Sequence, residues 1–211
     1  MAYCVITADV KRSRDVEDRA ALQKRLRCAM DRVNSEFAPH LVVPFSITIG
    51  DEWQGVLKSV AESYSVKLAF ERLLEGVPIV FGIGEGGIAT PLAERSAEMD
   101  GEAFHRSRQA LEKAKTQGRP IAFCTVDTES DKLLNALCAA LELVSRHWTD
   151  KQRKVVALFR EYGQQRKVSE LLGVTESHVS QTLSGAGAHE FLRSENDLRS
   201  YLRTRNLIDL A

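Results

Sequence analysis

Long apolar runs are missing from this 211-residue sequence: none approaches the roughly 18 residues that a helix needs to cross a bilayer. The first residues also lack a charged-then-apolar leader. We therefore expect no membrane partner and a cytoplasmic protein. Cysteine is scarce: Cys4, Cys28, Cys124 and Cys138 lie far apart, which excludes close-spaced redox pairs and zinc-ligand spacing and leaves reduced, structural thiols. Pro- or Gly-rich linkers, internal repeats and low-complexity tracts are absent, so solenoids and disordered tethers are not expected. The glycines at 84, 86 and 87 are not followed by Lys-Ser/Thr, which excludes a phosphate loop of the Walker kind. No Ser-His-Asp or Cys-His set can be assembled by spacing, and His105 has no companion at metal-ligand spacing. Net charge is zero, which argues against a surface basic throughout. The balance is uneven, however: residues 146–211 carry 11 Lys+Arg against 8 Asp+Glu, leaving the rest at −3 and the C-terminal part at +3.

What is present is an ordinary globular composition, 44% hydrophobic and 27% charged, long enough for two small domains. Tyr3 to Ala8 is rich in β-branched residues and predicts a strand ending at Asp9. From Val16 to Phe37, Ala21, Leu22, Leu26, Ala29, Met30 and Val33 recur at helical spacing. Leu41 to Ile49 and Trp53 to Leu57 predict a hairpin whose tip, Gly50-Asp51-Glu52, is acidic. A helix from Val60 to Leu74 and a strand from Pro78 to Ile83 follow, with the glycines from Gly82 to Gly87 bending or ending that strand. Gly101 to Lys115 predicts a helix, Pro120 to Val126 a strand and Glu129 to Arg146 a long helix. The order β-α-β-β-α-β-α-β-α predicts an α+β fold: a ferredoxin-like antiparallel sheet with helices on one face. The expected divisions are 1–128 for that domain, 129–147 for a connecting helix and 148–211 for a small all-α domain.

The third part carries a local pattern. Thr149 with Gln152 three residues on forms a capping box ahead of Val155, Val156, Leu158 and Phe159. Gln165 to Leu172 predicts a second helix ended by Gly173, and Thr175 caps a third from Glu176 to Leu183. Val168 to Leu183 resembles the helix-turn-helix of sigma-factor fourth regions. The third helix then presents Thr175, Glu176, Ser177, His178, Ser180 and Gln181 to double-stranded DNA, with Lys151, Arg166 and Lys167 meeting phosphates. The plainer alternative is a helical bundle that only packs or dimerises.

In the first part, Asp9 and Asp51 fall at adjoining strand ends, a pattern of oxygen ligands suited to Mg²⁺ or Mn²⁺ beside a nucleotide; turn-capping is the structural alternative. Ala8-Asp9-Val10, Ile49-Gly50-Asp51-Glu52 and Gly82-Ile83-Gly84 resemble class III nucleotidyl cyclases, a likeness that implies metal binding by the two aspartates. More closely, Ile6 to Arg14, Ile47 to Gly55 and Met99 to Arg108 resemble the SatD family. Arg106 and Arg108 are candidate cations for a triphosphate, and Arg12 and Arg14 for phosphate at the first loop; each is otherwise a surface or ion-paired arginine. No base-selecting Lys and Asp pair is found.

Three functions follow as expectations. The first is a homodimeric transcriptional regulator whose cyclase-like domain senses a nucleotide and whose helix-turn-helix binds DNA. The alternative is a metal-dependent nucleotidyl cyclase or nucleotidyltransferase localised by the DNA module. A third is a domain that has lost catalysis and only dimerises.

Overall fold

Strand β1 (Tyr3–Val10) is buried from Cys4 to Ala8, so both of its faces must be covered. The same holds for β3 (Glu52–Leu57) and β4 (Ile79–Gly86), whose residues are buried without alternation. A near-continuous buried run is the mark of a strand packed on two sides. With β2 (Leu41–Ile49) and β5 (Ile121–Cys124), these strands form one sheet in the order β2-β3-β1-β4-β5. A computed structural model is the source of these observations, and it describes residues 2–13, 16 and 18–208.

The element order expected through the first nine elements is found, with two corrections. The sheet is mixed: β1 is antiparallel to β3 and β4, but β4 and β5 run parallel. A full helix, α3 (Glu102–Thr116), lies between β4 and β5, and a crossover of that length returns the chain in the same direction. Helices also cover both faces. On one, Phe70 of α2 (Ser63–Leu73) packs its ring 5.4 Å from Trp53 and 6.2 Å from Phe81. Helix α1 (Arg19–Glu36), started by the Asp18 carboxylate accepting from the Ala21 N–H, holds the Phe45 backbone through Asn34. On the other face α3 lies along β1 and β4.

The glycines of β4 explain how close α3 comes. They do not end the strand, which runs on to Gly86. A Cβ at Gly82 would stand 2.2 Å from the Ser107 carbonyl, and one at Gly84 would stand 2.0 Å from the Ser107 nitrogen. Helix backbone therefore rests on strand backbone, which only glycine permits.

Two units divide the chain: residues up to Ala136 together with those from Arg199 on, and Leu137–Leu198 between them. The division falls inside α4 (Thr128–Ser145) and α8 (Ala188–Ile208). In the first unit, the Asn135 amide pairs with both backbone groups of Phe123, at 2.9 Å each, as a neighbouring strand would. The end of α8 also belongs there. Arg199 donates to Ser65, Arg203 forks onto Glu62, and Arg205 meets Glu85 at 2.8 Å in a buried ion pair.

The second unit is built on α5 (Asp150–Tyr162), α6 (Gln165–Leu172), α7 (Glu176–Gly185) and the start of α8. Its core gathers Val155, Val156, Val168, Val179, Leu183, Ala186 and Ala188. Trp148 stacks edge-on to Phe191 at 4.6 Å and donates its indole N–H to the Ala186 carbonyl. The expected capping box at Thr149 and Gln152 is present, and Gly173 turns the corner between α6 and α7 at φ 63°. Among the described residues no helix is long and apolar enough to cross a membrane.

Candidate functional site

The sheet face beneath α3 is polar where its other half is apolar. Val5 packs against Ala103 and Phe104, but two residues on along β1 comes Thr7, and two further Asp9. Alternation puts all three on the α3 side. Gln54 on β3 donates to the Thr7 hydroxyl at 2.8 Å, and the Thr7 and Ser107 hydroxyls meet at 2.9 Å. Ser107 donates to the Phe104 carbonyl, so the proton direction is set: Gln54 to Thr7, Thr7 to Ser107, Ser107 to the backbone. All three side chains are buried, and each has a hydrogen-bond partner within the chain.

At the end of β1 the row becomes charged. Ala8 lies opposite Trp53, so Asp9 runs beside the start of β3 and the hairpin tip. Gly50 adopts φ 60° at the first position of the two-residue loop, as a II′ hairpin turn requires. Asp51 follows it. Its Oδ2 is enclosed and has no hydrogen-bond partner. Glu52, buried, accepts from Thr48 at 3.1 Å and from Arg108 at 3.2 Å. Asp9 accepts from the Lys115 ammonium at 2.7 Å. Burial alone would lower the Lys115 pKa, but the hydrogen bond and charge of Asp9 outweigh it, and the ammonium is held above its ordinary value.

The expected site residues are thus unevenly placed. Asp9 and Asp51 come to one end of the sheet. Arg108 joins them through Glu52. Arg106 is turned away, donating to the Glu85 carbonyl at 2.6 Å and to Glu102 at 2.8 Å. Arg12 is exposed, in the left-handed region at φ 53°. Arg14 lies outside the described residues. Glu52, Lys115, Thr7, Gln54 and Ser107 were not expected. Glu52 stood beside Asp51 in the motif, whereas nothing local marks Lys115 as a partner of Asp9.

The residues present do not fit a divalent cation as their side chains stand. Asp9 and Glu52 already hold cationic side chains, and among the described residues no group of three His, Cys, Asp or Glu is arranged to hold a metal ion. A hard cation needs several free oxygens at once.

In the second unit, Lys151, Lys167, Thr175, Glu176, Ser177, Ser180 and Gln181 are exposed. Thr175 accepts from the His178 N–H and so caps α7. Arg166 is exposed and bonded to Glu170 at 3.2 Å. His178, expected on the outer face, is half-buried, and its Nε2 is enclosed without a partner.

A model of the SatD family matches residues 3–202. No curated protein matches. Among solved structures, the chain is similar to the active GGEEF domain of a diguanylate cyclase from Vibrio cholerae, with TM-score 0.44 and 18% identity over 60% of this chain and 84% of that one. It is similar to a bacterial light-regulated adenylyl cyclase, with TM-score 0.45 and 13% identity over 58% and 74%. It is also similar to a guanylyl cyclase domain of the RhoGC fusion protein from the aquatic fungus Blastocladiella emersonii, with TM-score 0.40 and 15% identity over 53% and 73%.

Proposed function

We propose, starting from the fact that this chain belongs to the SatD family, that its first unit binds a nucleoside triphosphate at the end of the sheet where β1 meets the β2–β3 hairpin. The observation that carries this reading is Asp51, whose Oδ2 is enclosed with no partner at a tight turn. A buried polar atom left without a hydrogen bond costs about 1–3 kcal/mol, and more when it is charged. A ligand hydroxyl or amine would remove that cost. Arg108 on Glu52 and Lys115 on Asp9 are the cations that a polyphosphate would meet at this end of the sheet. Whether the unit also turns the nucleotide over decides between a sensor and a nucleotidyl cyclase or nucleotidyltransferase.

Thermal unfolding of the full chain with each nucleoside triphosphate, with and without Mn²⁺, tests the reading. One of them should raise the midpoint, since a ligand at 100 times its Kd stabilises by about 2.7 kcal/mol. Asp51→Asn should remove most of that shift. Pyrophosphate release that is lost in Asp51→Asn would establish the enzyme; binding without release would leave a sensor. No shift with any nucleotide would end the proposal.

A second reading concerns the second unit: that α6 and α7 form a helix-turn-helix that binds double-stranded DNA, with the chain acting as a homodimer. It is favoured by the capped α7, whose Glu176, Ser177, Ser180 and Gln181 are all exposed beyond the Gly173 corner. Lys151, Arg166 and Lys167 would contact phosphates. Fluorescence anisotropy of the full chain on duplex DNA should show affinity falling steeply with salt. Ser177→Ala with Gln181→Ala should blunt sequence preference, whereas Lys167→Ala should weaken all duplexes alike. Absent or salt-insensitive binding would remove this reading.

A further inference from the structure

The mismatch between the acidic motif and its surroundings has a definite source. Helix α3 presents Ala103, Ser107, Leu111 and Lys115 at four-residue spacing, one stripe along a single face. Gly82 and Gly84 seat the first three. Ala103 and Ser107 oppose Gly84, and Ser107 and Leu111 oppose Gly82, all at distances that leave no room for a Cβ. With the helix axis fixed against the strand, the fourth residue of the stripe arrives over Asp9. Its ammonium lies 2.7 Å from the Asp9 carboxylate, and Glu112 of the same helix stands 3.6 Å from it. Neither Asp9 nor Lys115 is more than a third exposed, so solvent screening of the pair is incomplete.

We infer that Lys115 is a tethered cation occupying the position on Asp9 that the motif would otherwise give to a divalent metal ion, and that it withholds Asp9 from metal. A metal ion approaching Asp9 must expel the ammonium or sit beside it. The first gives up a charge-assisted hydrogen bond, and the second places like charges in contact. Arg108 on Glu52 acts in the same direction from the hairpin side. The inference deepens the nucleotide-binding reading, because it makes Lys115 the cation offered to a phosphate at this end, and it rests on that reading only for the identity of the ligand.

The test uses Mn²⁺ alone, titrated into the full chain and followed by the electron paramagnetic resonance of the free ion. Wild type should bind weakly. Lys115→Met should bind at least about tenfold more tightly, the direction expected when a like charge is removed from a carboxylate site. Lys115→Arg should behave as wild type, and Lys115→Met with Asp9→Asn should fall back to the wild-type level. Should Lys115→Met prove unstable, Lys115→Gln keeps a polar side chain of similar reach and carries the same expectation. Lys115→Met or Lys115→Gln binding no tighter than wild type would overturn the inference, as would a gain that survives loss of Asp9. Nucleotide titrations of wild type, run separately, report on the nucleotide reading: no nucleotide shift alongside a gain in Mn²⁺ affinity would sink that reading and leave Lys115 in its role.

Discussion

Glu62 is a carboxylate pulled in two directions. Its burial raises its pKa, but Arg203, which forks onto it at 2.8 and 3.1 Å, and Ser65 pull harder and leave it below the ordinary value. A folded-state pKa depressed below the unfolded one contributes stability that is present above the unfolded value, about 4.3 for Glu, and is lost as pH falls through the folded value. Glu62→Gln should therefore be less stable than wild type at pH 7, and the gap should close as the medium is taken below about pH 4. Urea unfolding at stepped pH measures it. A gap that stays constant down to pH 3 would mean that packing, not charge, is what Glu62 supplies. Lys115 shows the same rule from the basic side. The raised Lys115 pKa makes that contribution present below the unfolded lysine value and lost only in strong alkali, so the ammonium stays charged across the physiological range.

The elements reveal which signals in the sequence were local. Helices α5 and α7 start where Thr149 and Thr175 predicted and α6 stops at Gly173, because a cap or a left-handed glycine acts on its own turn, whereas α7 runs two residues past the expected Leu183, where no such signal stands. Strand β4 was misread for an instructive reason. Glycine in a strand marks either a bend or the close approach of another backbone, and only the position of α3, determined by tertiary packing, selects the second. The Asp9–Lys115 contact was illegible for the same cause, since its partners meet only after the crossover is folded. The last helix, α8, went unpredicted: its apolar residues are sparse, and its end is held by arginines whose partners lie far back in the sequence. Two glycines separate these effects by experiment. Gly84→Ala drives a Cβ into helix backbone at 2.0 Å and should cost about 3 kcal/mol or more, the upper end of overpacking. Gly173→Ala meets nothing within 4 Å but must hold φ 63°, and should cost about 1–2 kcal/mol. Denaturant midpoints of the two variants decide. If Gly84→Ala proves the milder, α3 does not sit on β4 as described.

At the scale of the whole chain, the second unit is an insertion: the polypeptide leaves the first unit after Ala136 and contributes to it again from Arg199. The first unit is therefore not finished until the last residues arrive. What they bring is Arg199 to Ser65, Tyr201 to Ser130, Arg203 to Glu62 and Arg205 to Glu85. The last is the costly one to lose, because both partners are enclosed, and removing one side of a buried ion pair costs about 3–5 kcal/mol. Against a typical total stability of about 5–15 kcal/mol, that loss is large. Arg205→Ala should lower the denaturant midpoint by an amount corresponding to about 3 kcal/mol, and a chain ending at Leu198 should fall further. Cysteine labelling locates the damage. Cys28 is exposed and should react with an aromatic disulfide at once, whereas Cys4 is fully buried beside Glu85 and Arg205, its thiol pKa raised by burial and by Glu85. In wild type Cys4 should react only as fast as the sheet opens. In Arg205→Ala and in the shortened chain its labelling should accelerate while Cys28 keeps its rate. If Cys4 remains as protected as in wild type, the end of α8 does not complete the first unit, and the arginines there are surface contacts.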